Sequence, residues 1–414
     1  MNEKNTLNII PNVETKEKEE LNVPDLRFSH FNNSWKKKSL LELTFVKARI
    51  GWQGLRQEEF MDSGDYYLIT GTDFKNNRID FEMCKYISKE RYDQDKHIQI
   101  VNDDILITKD GSIGKVAIVE NIDKPATLNA GVYVVRICSN EINLKYLFHY
   151  LKAPFLVNFA SKSSTGGTIK HLNQNVLGNF KIPYSTIHEQ QIIANFLDLI
   201  DNRILTQKKI IEDLECLKNS IIISFFNKLK NNKKISLANI LHERKTYATK
   251  NEEIIHATLS KEGIFPKTDR YNRDFLVKAE DKSYKISLLN DICYNPANLK
   301  FGVITRNNFG KCIISPIYVT FEVDEKFSPQ FVELYVCQNS FINYIRKYEQ
   351  GSVYERMAVS SEDFFKGEIP LLSYKLQLDL VKKINLLKDK IKNEKSILNL
   401  YMKEKEYLLN KLFI

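Results

Sequence analysis

The stretch EQQIIANFLDLIDNRILTQKKIIEDLECLKNSIIISFFNKL, from Glu189 to Leu229, decides the fold because its apolar residues recur every seven positions. They form two rows four residues apart, and no Pro or Gly interrupts them. The first row holds Ile193, Ile200, Leu214 and Ile221, and the second holds Leu197, Ile204, Ile211 and Phe225. Polar residues interrupt the rows at Gln207 and Lys218. A narrow stripe of this period predicts a long coiled-coil helix.

The same pattern returns near the end of the chain, at the constant offset that takes Ile193 to Leu380. The first row becomes Leu380, Leu387, Tyr401 and Leu408, and the second becomes Ile384, Ile391, Leu398 and Leu412. The polar interruptions return as well, as Glu394 and Lys405. Unrelated amphipathic helices often share a heptad pattern but seldom share its interruptions. The sequence therefore indicates an internal duplication.

Each long helix is preceded by a similar succession of strands, a helical stretch, a polar loop and an Ile-Pro strand end. Asp104-Ile105 matches Asp291-Ile292, and Ile182-Pro183 matches Ile369-Pro370. The predicted fold class is α+β: a tandem, pseudo-twofold duplication of a mixed α/β domain plus a long helix, with the two helices forming an antiparallel coiled coil. The predicted boundaries are a leader at 1–34, domains at 35–188 and 233–375, and helices at 189–232 and 376–414.

Composition places few limits on function. The chain has 414 residues, 43% of them apolar, which suffices for two to four folded domains. Its 61 basic and 52 acidic residues give a formal charge of +9, which suits a polyanionic partner and equally suits solubility alone. The leader, rich in Lys and Glu up to about residue 24, is expected to be mobile. With scattered cysteines, no signal peptide and no apolar run of membrane length, the expected location is cytoplasmic.

The sequence contains no recognisable catalytic motif. Gly111 to Lys115 lacks the glycine spacing of a P-loop, and Val116 stands where Ser or Thr should follow the lysine. Tyr294 to Ala297 lacks the second proline and the closing aromatic of the adenine methyltransferase tetrapeptide. The few histidines form neither a triad nor a metal pair. We therefore predict no catalytic residue and no metal ligand.

Two matching clusters could bind DNA, which is contacted by cations at its phosphates and by polar side chains at its base edges. Taken singly, each residue is more readily explained as a solvated surface residue, but the matching of the clusters favours DNA. The first cluster comprises Lys109, Ser112 and Lys115 on a turn between strands, and Thr165, Thr168, Lys170 and His171 in a glycine-bearing loop. The second comprises Tyr294, Asn295, Asn298, Lys300 and Arg306 at the matching turn, and Ser352, Tyr354 and Arg356 in the matching loop.

The geometry of the helices suits a two-part target. A helix of about 40 residues is roughly 60 Å long at ~1.5 Å per residue, so two packed antiparallel would hold their domains at opposite ends. Pseudo-twofold symmetry suits two half-sites about one helical turn of DNA apart, ~10 bp between centres. The loops of the two copies differ in sequence, so we expect the copies to read two different half-sites.

The chain resembles the specificity subunit of type I restriction-modification systems over nearly its whole length. The resemblance rests on VPDLRFSHFNNSW, on GGTIKHLNQNVLGNFKIPYSTIHEQQIIANFLDLIDNRI and on LECLKNSIIISFF. Its most specific part is Ile182-Pro183 followed by Glu189-Gln190, then Ile193-Ala194, Leu197 and Asp201. In the second copy Leu376-Gln377 replaces Glu189-Gln190, and Lys382 replaces the alanine.

The resemblance implies two target recognition domains, each binding half of a bipartite double-stranded DNA sequence. The helices would space the domains and dock two methyltransferase (modification) subunits. The chain itself would be non-catalytic and would bind no cofactor. Its complex would methylate adenine N6 with S-adenosylmethionine and, with motor-nuclease (restriction) subunits using ATP and magnesium, cleave DNA.

Two other functions are compatible with the same pattern. The main alternative is a coiled-coil scaffold whose globular ends bind proteins; a basic surface on the two clusters would favour DNA, and an apolar one would favour protein. The other is a nuclease or methyltransferase with a degenerate site, against which the missing motifs count.

Overall fold

The computed structural model describes residues 9–11, 22–51, 54–162, 171–249, 254–267, 283–350 and 357–414. They form two compact units of mixed helix and strand. The first unit comprises Met1–Lys208 together with Ile397–Ile414, and the second comprises Lys209–Ser396. Both boundaries fall inside the long helices α6 (Ile187–Lys228) and α10 (Tyr374–Lys411), so each unit contains part of both helices.

In the first unit the main sheet has the strand order β4-β13-β10-β11-β7-β6, and a second sheet has the order β8-β5-β12-β9. Strand pairs β1-β2 and β14-β3 complete the described strands of this unit. The strands are β1 Ile9–Pro11, β2 Leu26–Phe28, β3 Lys36–Ser39, β4 Thr44–Ala48, β5 Tyr67–Ile69, β6 Phe74–Lys75, β7 Arg78–Ile79, β8 Lys85–Tyr86, β9 Gln99–Ile100, β10 Ile105–Thr108, β11 Val116–Ile118, β12 Ala126–Leu128, β13 Val132–Ile137 and β14 Lys181–Tyr184. The shorter helices are α1 Leu40–Leu43, α2 Lys89–Asp93, α3 Leu144–Lys152, α4 Pro154–Lys162 and α5 Gln174–Gly178.

The second unit repeats this plan with a main sheet of order β16-β24-β21-β22, a sheet of order β17-β20-β23, and the pairs β15-β25 and β18-β19. Its strands are β15 Lys234–Ser236, β16 Leu241–Glu243, β17 Tyr247–Thr249, β18 Ala257–Ser260, β19 Gly263–Pro266, β20 Ser283–Ser287, β21 Ile292–Tyr294, β22 Ile304–Arg306, β23 Cys312–Ile314, β24 Val319–Val323 and β25 Glu368–Pro370. Its shorter helices are α7 Pro329–Val336, α8 Asn339–Ile345 and α9 Ser361–Phe364. The predicted α+β class is thus confirmed.

The duplication extends to backbone detail at the start of the central strand of each main sheet. In the first unit the Asp104 carboxylate accepts a hydrogen bond of 2.9 Å from the backbone N–H of Val101. In the second unit the Asp291 carboxylate accepts one of 2.8 Å from Leu288, which likewise precedes its aspartate by one turn. The residues just before these aspartates, Asp103 and Asn290, share a left-handed conformation, with φ of 70° and 74°. Residues other than glycine seldom adopt this backbone conformation, so its presence at both positions indicates that the same turn is repeated.

Each aspartate also pairs with an arginine, and the two arginines come from different places in the sequence of the repeat. Arg136 of β13 forms two hydrogen bonds to Asp104, of 2.6 and 2.7 Å. Arg244, which follows β16, forms two bonds of 2.8 and 3.1 Å to Asp291. The aspartate–arginine pairing is therefore repeated, although the arginines occupy non-equivalent positions in the two copies.

The long helices pack antiparallel within each unit. In the first unit Ile193 and Leu197, near the start of α6, share a hydrophobic core with Leu408 and Leu412 near the end of α10. In the second unit Phe226 near the end of α6 shares a core with Leu380 and Ile384 near the start of α10. Early residues of one helix thus contact late residues of the other, as predicted.

Every predicted stripe position of the two helices is buried or half-buried, including the four polar interruptions. Gln207 and Glu394 are 7% exposed, and the side chain of Lys405 is 18% exposed. Among the described residues, no helix combines the length and apolar composition that a membrane crossing requires.

Residues 9–11 of the leader form a strand, although the sequence predicts mobility up to about residue 24. Ile9–Pro11 pairs antiparallel with Leu26–Phe28, and Phe28 is buried in the first core. Strand β2 therefore joins the folded unit and carries Arg27 into its interior.

Candidate nucleic-acid interface

In the first unit the predicted turn residues lie at one end of the main sheet. Ile107 pairs with Val116 on one side and with Tyr133 on the other. The connections 109–115 and 129–131 consequently leave the sheet at the same end, where the backbone N–H of Lys109 donates to the Gly131 carbonyl at 2.9 Å. We call residues 109–115, 129–131 and 171–172 the first loop end.

In the second unit the same end of the main sheet has the same construction. Tyr294 pairs with both Ile304 and Val319, so the connections 295–303 and 315–318 leave the sheet together. We call residues 295–303, 315–318 and 357–359 the second loop end.

One hydrogen bond, present at equivalent positions of the two copies, joins the turn to the segment that follows the polar loop. The backbone N–H of Leu172 donates to the Lys109 carbonyl at 2.9 Å, and that of Val359 donates to the Pro296 carbonyl at 3.3 Å. Each copy therefore brings its turn and the segment after its loop to the same place.

The first loop end presents mainly polar side chains. Lys109 is half-buried with its Nζ 5.4 Å from the Tyr133 ring centroid, while Ser112 and Lys115 are exposed. His171 is exposed and its Nδ1 hydrogen-bonds to the Asp110 carboxylate. These positions allow lysine contacts to phosphate and hydroxyl or imidazole contacts to base edges.

Thr108 holds the turn of the first loop end in shape. Its hydroxyl donates to the Ser112 carbonyl at 2.5 Å and accepts from the Lys115 backbone N–H at 3.0 Å. Gly111 and Gly114 have φ of 66° and 78°, a conformation that favours glycine. The GSIGK stretch is thus a turn between β10 and β11, at the position between two strands that the sequence predicts, and it is held by hydrogen bonds.

Tyr294 is buried inside the second unit, so its assignment to the DNA-binding cluster is wrong. It is fully buried, its ring stacks on Phe364 at 4.7 Å, and its hydroxyl donates to the Val359 carbonyl at 3.0 Å. Burial raises the pKa of its phenol. In the first unit Tyr133 forms the same bond to Leu172, at 2.9 Å, from a neighbouring strand. Tyr294 therefore holds the loop end together from inside.

Two further residues of the second cluster are committed to internal contacts. Asn295 is 7% exposed, and its side-chain oxygen accepts from the Ala297 N–H at 3.2 Å, capping a 3-10 helix over 296–301. Arg306 lies opposite Ile292, away from the loop end, and bonds Glu333 at 3.3 Å and Asn290 at 2.7 Å. Asn295 and Arg306 therefore do not present their side chains to a ligand at the loop end.

Asn298 and Lys300 lie on the second loop end, half-buried and exposed respectively. Six other predicted contacts, Thr165, Thr168, Lys170, Ser352, Tyr354 and Arg356, lie outside the described residues. Sequence reasoning missed three exposed apolar residues of the second loop end: Phe301 and Ile317, each 63% exposed, and Met357, 44% exposed. Their positions in the matching turn and loop could have been read from the constant offset between the copies, but their exposure could not.

Glu189 and Gln190, the most specific part of the resemblance, anchor the start of α6. Glu189 forms two buried bonds to Arg27, of 2.7 and 2.8 Å. Gln190 accepts from the Asn143 N–H at 2.7 Å, just before α3, and donates to the Ser185 carbonyl at 2.8 Å.

Gln377 repeats the role of Gln190 in the second unit. It accepts from the Ser328 N–H at 2.8 Å, just before α7, and donates to the Leu372 carbonyl at 3.1 Å. Leu376 stands where Glu189 would be and is 50% exposed. A glutamine with this role is thus present in each unit, whereas the buried ion pair between arginine and glutamate belongs to the first unit.

Ionic contacts tie three helices of the first unit together at Asp201. Its carboxylate bonds the Lys152 ammonium at 2.5 Å and also that of Lys405, the polar interruption of α10. Burial lowers the pKa of Lys152 to about 8. One turn earlier, Asp198 bonds buried His149 at 2.9 Å. Burial opposes ionisation of Asp198, but hydrogen bonds from His149 and Lys145 lower its pKa to about 2.

Known proteins resemble this chain both in sequence and in fold. Residues 32–216 match the family described as type I restriction modification DNA specificity domain. The chain is 26% identical over 203 residues to the type I restriction enzyme MjaVIII specificity subunit of Methanocaldococcus jannaschii, covering 43% of this chain and 47% of that one. It is 29% identical over 145 residues to the EcoR124I/EcoR124II specificity subunit of Escherichia coli, covering 34% and 35%.

Solved structures share the fold across most of the chain. A type I S subunit from M. genitalium superposes with a TM-score of 0.53 at 17% identity, covering 95% of this chain and 99% of that one. A chain from a study of complex assembly and conformational transition in the type I R-M system gives 0.56 at 13% identity, covering 92% and 97%. Residues 32–216 thus resemble a type I restriction modification DNA specificity domain in sequence, and the chain shares the fold of these solved structures. Its alignments span less than half of the length of those two curated relatives.

Proposed function

We propose that this chain is the non-catalytic specificity subunit of a type I restriction-modification enzyme. Each loop end binds one half of a bipartite duplex DNA target. The repeated hydrogen bond from Leu172 to Lys109 and from Val359 to Pro296 carries the proposal. This hydrogen bond gives the two loop ends the same backbone arrangement, from which different side chains project.

A shared frame with divergent side chains suits recognition of two different sequences. Lys115 at the first end and Lys300 at the second are exposed and can contact phosphates. The remaining exposed residues differ between the ends, so each would select its own base pairs. If both ends bound the same half-site, their exposed side chains would be expected to match.

The long helices supply the second part of the proposal, which is docking of two modification subunits. Leu199 on α6 and Leu386 on α10 are 66% and 62% exposed, and they occupy equivalent positions of the two copies. Exposed leucines at equivalent positions fit two equivalent apolar contacts, one for each partner subunit.

In this complex the chemistry belongs to the partner subunits. S-adenosylmethionine would bind the modification subunits, which methylate adenine N6. ATP and magnesium would bind motor-nuclease restriction subunits, where these are present. This chain would contribute the choice of site.

Methylome sequencing of cells expressing this chain with its modification subunit tests the proposal. The control cells express the same modification subunit without this chain. Adenine methylation gained at one interrupted two-part motif is the expected result. No new motif, with the modification subunit active, would refute the proposal.

A protein-binding scaffold is the second candidate, and one observation favours it. Phe301, Ile317 and Met357 give the second loop end an exposed apolar surface, which is common at protein interfaces. Binding of the purified complex to duplex DNA should be unaffected by Phe301→Ala under this alternative, and weakened under the DNA proposal.

A further inference from the structure

The two loop ends differ in the chemistry that they expose. The first presents Asp110, Ser112, Lys115 and His171, all exposed and able to form hydrogen bonds or ionic contacts. The second presents Phe301 and Ile317, each 63% exposed, and Met357, 44% exposed. The position equivalent to Ile317 in the first copy is Ala130. The first end is thus polar and the second is largely apolar.

The exposed apolar side chains stand on a firmly packed base. Val303 and Tyr318, which closely follow Phe301 and Ile317, pack against a cluster formed by the β18-β19 hairpin and neighbouring strands. The connections themselves leave the sheet side by side, because Tyr294 pairs with both Ile304 and Val319. Phe301 and Ile317 are therefore presented at the same end of the sheet by a rigid frame.

Lysines border this apolar surface. The Lys300 ammonium lies 5.1 Å from the Phe301 ring centroid. The Lys261 side chain packs beside Gly302, where an added Cβ would lie 3.6 Å from its Cε. Both lysines are exposed. Cations beside apolar groups suit a duplex groove, where phosphates border the base edges, and the positive charge selects DNA over an apolar protein surface.

Apolar side chains can distinguish bases in the major groove by one feature, the 5-methyl group of thymine. Thymine presents this methyl group beside its O4 acceptor, whereas cytosine, adenine and guanine present only hydrogen-bonding groups, which Phe and Ile cannot satisfy. We propose, on the basis of the proposed function above, that the second unit reads its half-site through thymine methyl groups contacted by Phe301 and Ile317. The first unit reads its half-site through hydrogen bonds.

Deoxyuridine tests this inference because it pairs as thymine does and lacks the methyl group. The probe is a duplex carrying the two-part motif found by methylome sequencing, with thymine replaced by deoxyuridine in one half-site at a time. Binding by the complex of this chain with its modification subunits is measured by fluorescence anisotropy. We expect roughly fourfold weaker binding per contacted thymine in one half-site, as for one methyl-sized apolar contact, and little change in the other.

Variants assign the effect to the loop end. Phe301→Ala and Ile317→Ala should each weaken binding to thymine-containing DNA and reduce its sensitivity to deoxyuridine at that half-site. Ser112→Ala, an exposed change at the first loop end, should leave that sensitivity intact. Phe301 and Ile317 are largely exposed, so unchanged thermal unfolding of the variants is expected and serves as the folding control.

Two results would overturn the inference while leaving the proposed function in place. They are binding that ignores deoxyuridine in both half-sites, and sensitivity that persists undiminished in both variants. Insertion of Phe301 between base steps would give the first result, since it does not depend on the methyl group. Absence of any two-part motif in the methylome would instead refute the proposed function.

Discussion

Replacing Glu189 by leucine, the residue found at the equivalent position of the second unit, should strongly destabilise the first unit. The Arg27 and Glu189 side chains are 3% and 1% exposed. Arg27 forms two bonds to the Glu189 carboxylate, of 2.7 and 2.8 Å, and one bond of 2.6 Å to the Asn33 carbonyl. The variant would leave the buried guanidinium with the carbonyl alone.

The magnitude follows from the burial of the pair. Removing one member of a buried ion pair costs about 3–5 kcal/mol, because the remaining charge stays away from water. The surviving bond to Asn33 places our expectation for Glu189→Leu at the lower end, about 3 kcal/mol. Replacing both members by apolar residues, as in Arg27→Met with Glu189→Leu, should restore most of that stability.

Urea unfolding followed by tryptophan fluorescence measures this effect in the first unit. Both tryptophans, Trp35 and Trp52, occur in the amino-terminal part of that unit, and Trp35 is buried in the first core. Glu90→Leu is the matched control, because it makes the same substitution at an exposed position of the first unit and should change the free energy of unfolding by less than about 0.5 kcal/mol. A loss below about 1 kcal/mol for Glu189→Leu, or a double variant as unstable as the single one, would refute the reasoning.

Three further predictions concern DNA binding, pH and spacing. Replacing Lys109 and Lys115 together by Ala should weaken binding to all sequences and reduce the slope of log affinity against log salt by about two, measured by anisotropy; an unchanged slope would exclude the turn from the interface. Burial lowers the pKa of His149 below its ordinary 6.5, so the first unit should lose stability as pH falls from 6.5 through that lower value. His149→Gln should flatten this loss in urea midpoints, and an unaltered pH dependence would contradict the assignment. Deleting residues 207–213 and 394–400 together should change the preferred spacer between half-sites by about three base pairs, since about seven residues of helix span ~10.5 Å; an unaltered methylome spacer would reject spacing by the helices.

The architecture could be predicted from the sequence because its signals are periodic. A heptad repeat and its two polar interruptions survive as a pattern whatever the surrounding structure, and every position so identified is buried or half-buried. Lys405 shows why an interruption can be retained: its ammonium reaches Asp201 on the facing helix. The polar residue thus has a partner at a position that the stripe alone marks as apolar.

The candidate site was harder to predict because exposure depends on strand pairing. The side-chain type of Tyr294 suggests a DNA contact, although its equivalent in the first copy is Ile107, a fully buried strand residue. The apolar side chain of Phe301 suggests a core position, yet its turn extends beyond the end of the sheet. From residue type alone, Tyr294 would be placed at the surface and Phe301 in the core, which is the reverse of the structure. The register of β21 with β22 and β24 shows that Tyr294 lies between two paired strands.

The first unit is assembled from two separated parts of the chain, and this bears on how it folds during synthesis. Leu408, Leu412 and Phe413 complete its core, and the Phe413 ring lies 5.3 Å from Tyr146 and 5.2 Å from Tyr150. The ribosome makes these residues only after the whole of the second unit, which is continuous in sequence. The second unit can therefore reach its native state first, while the amino-terminal segment still lacks the helix that completes its core. A chaperone that recognises exposed apolar surface would meet the amino-terminal half of the nascent chain for longer than the half made later.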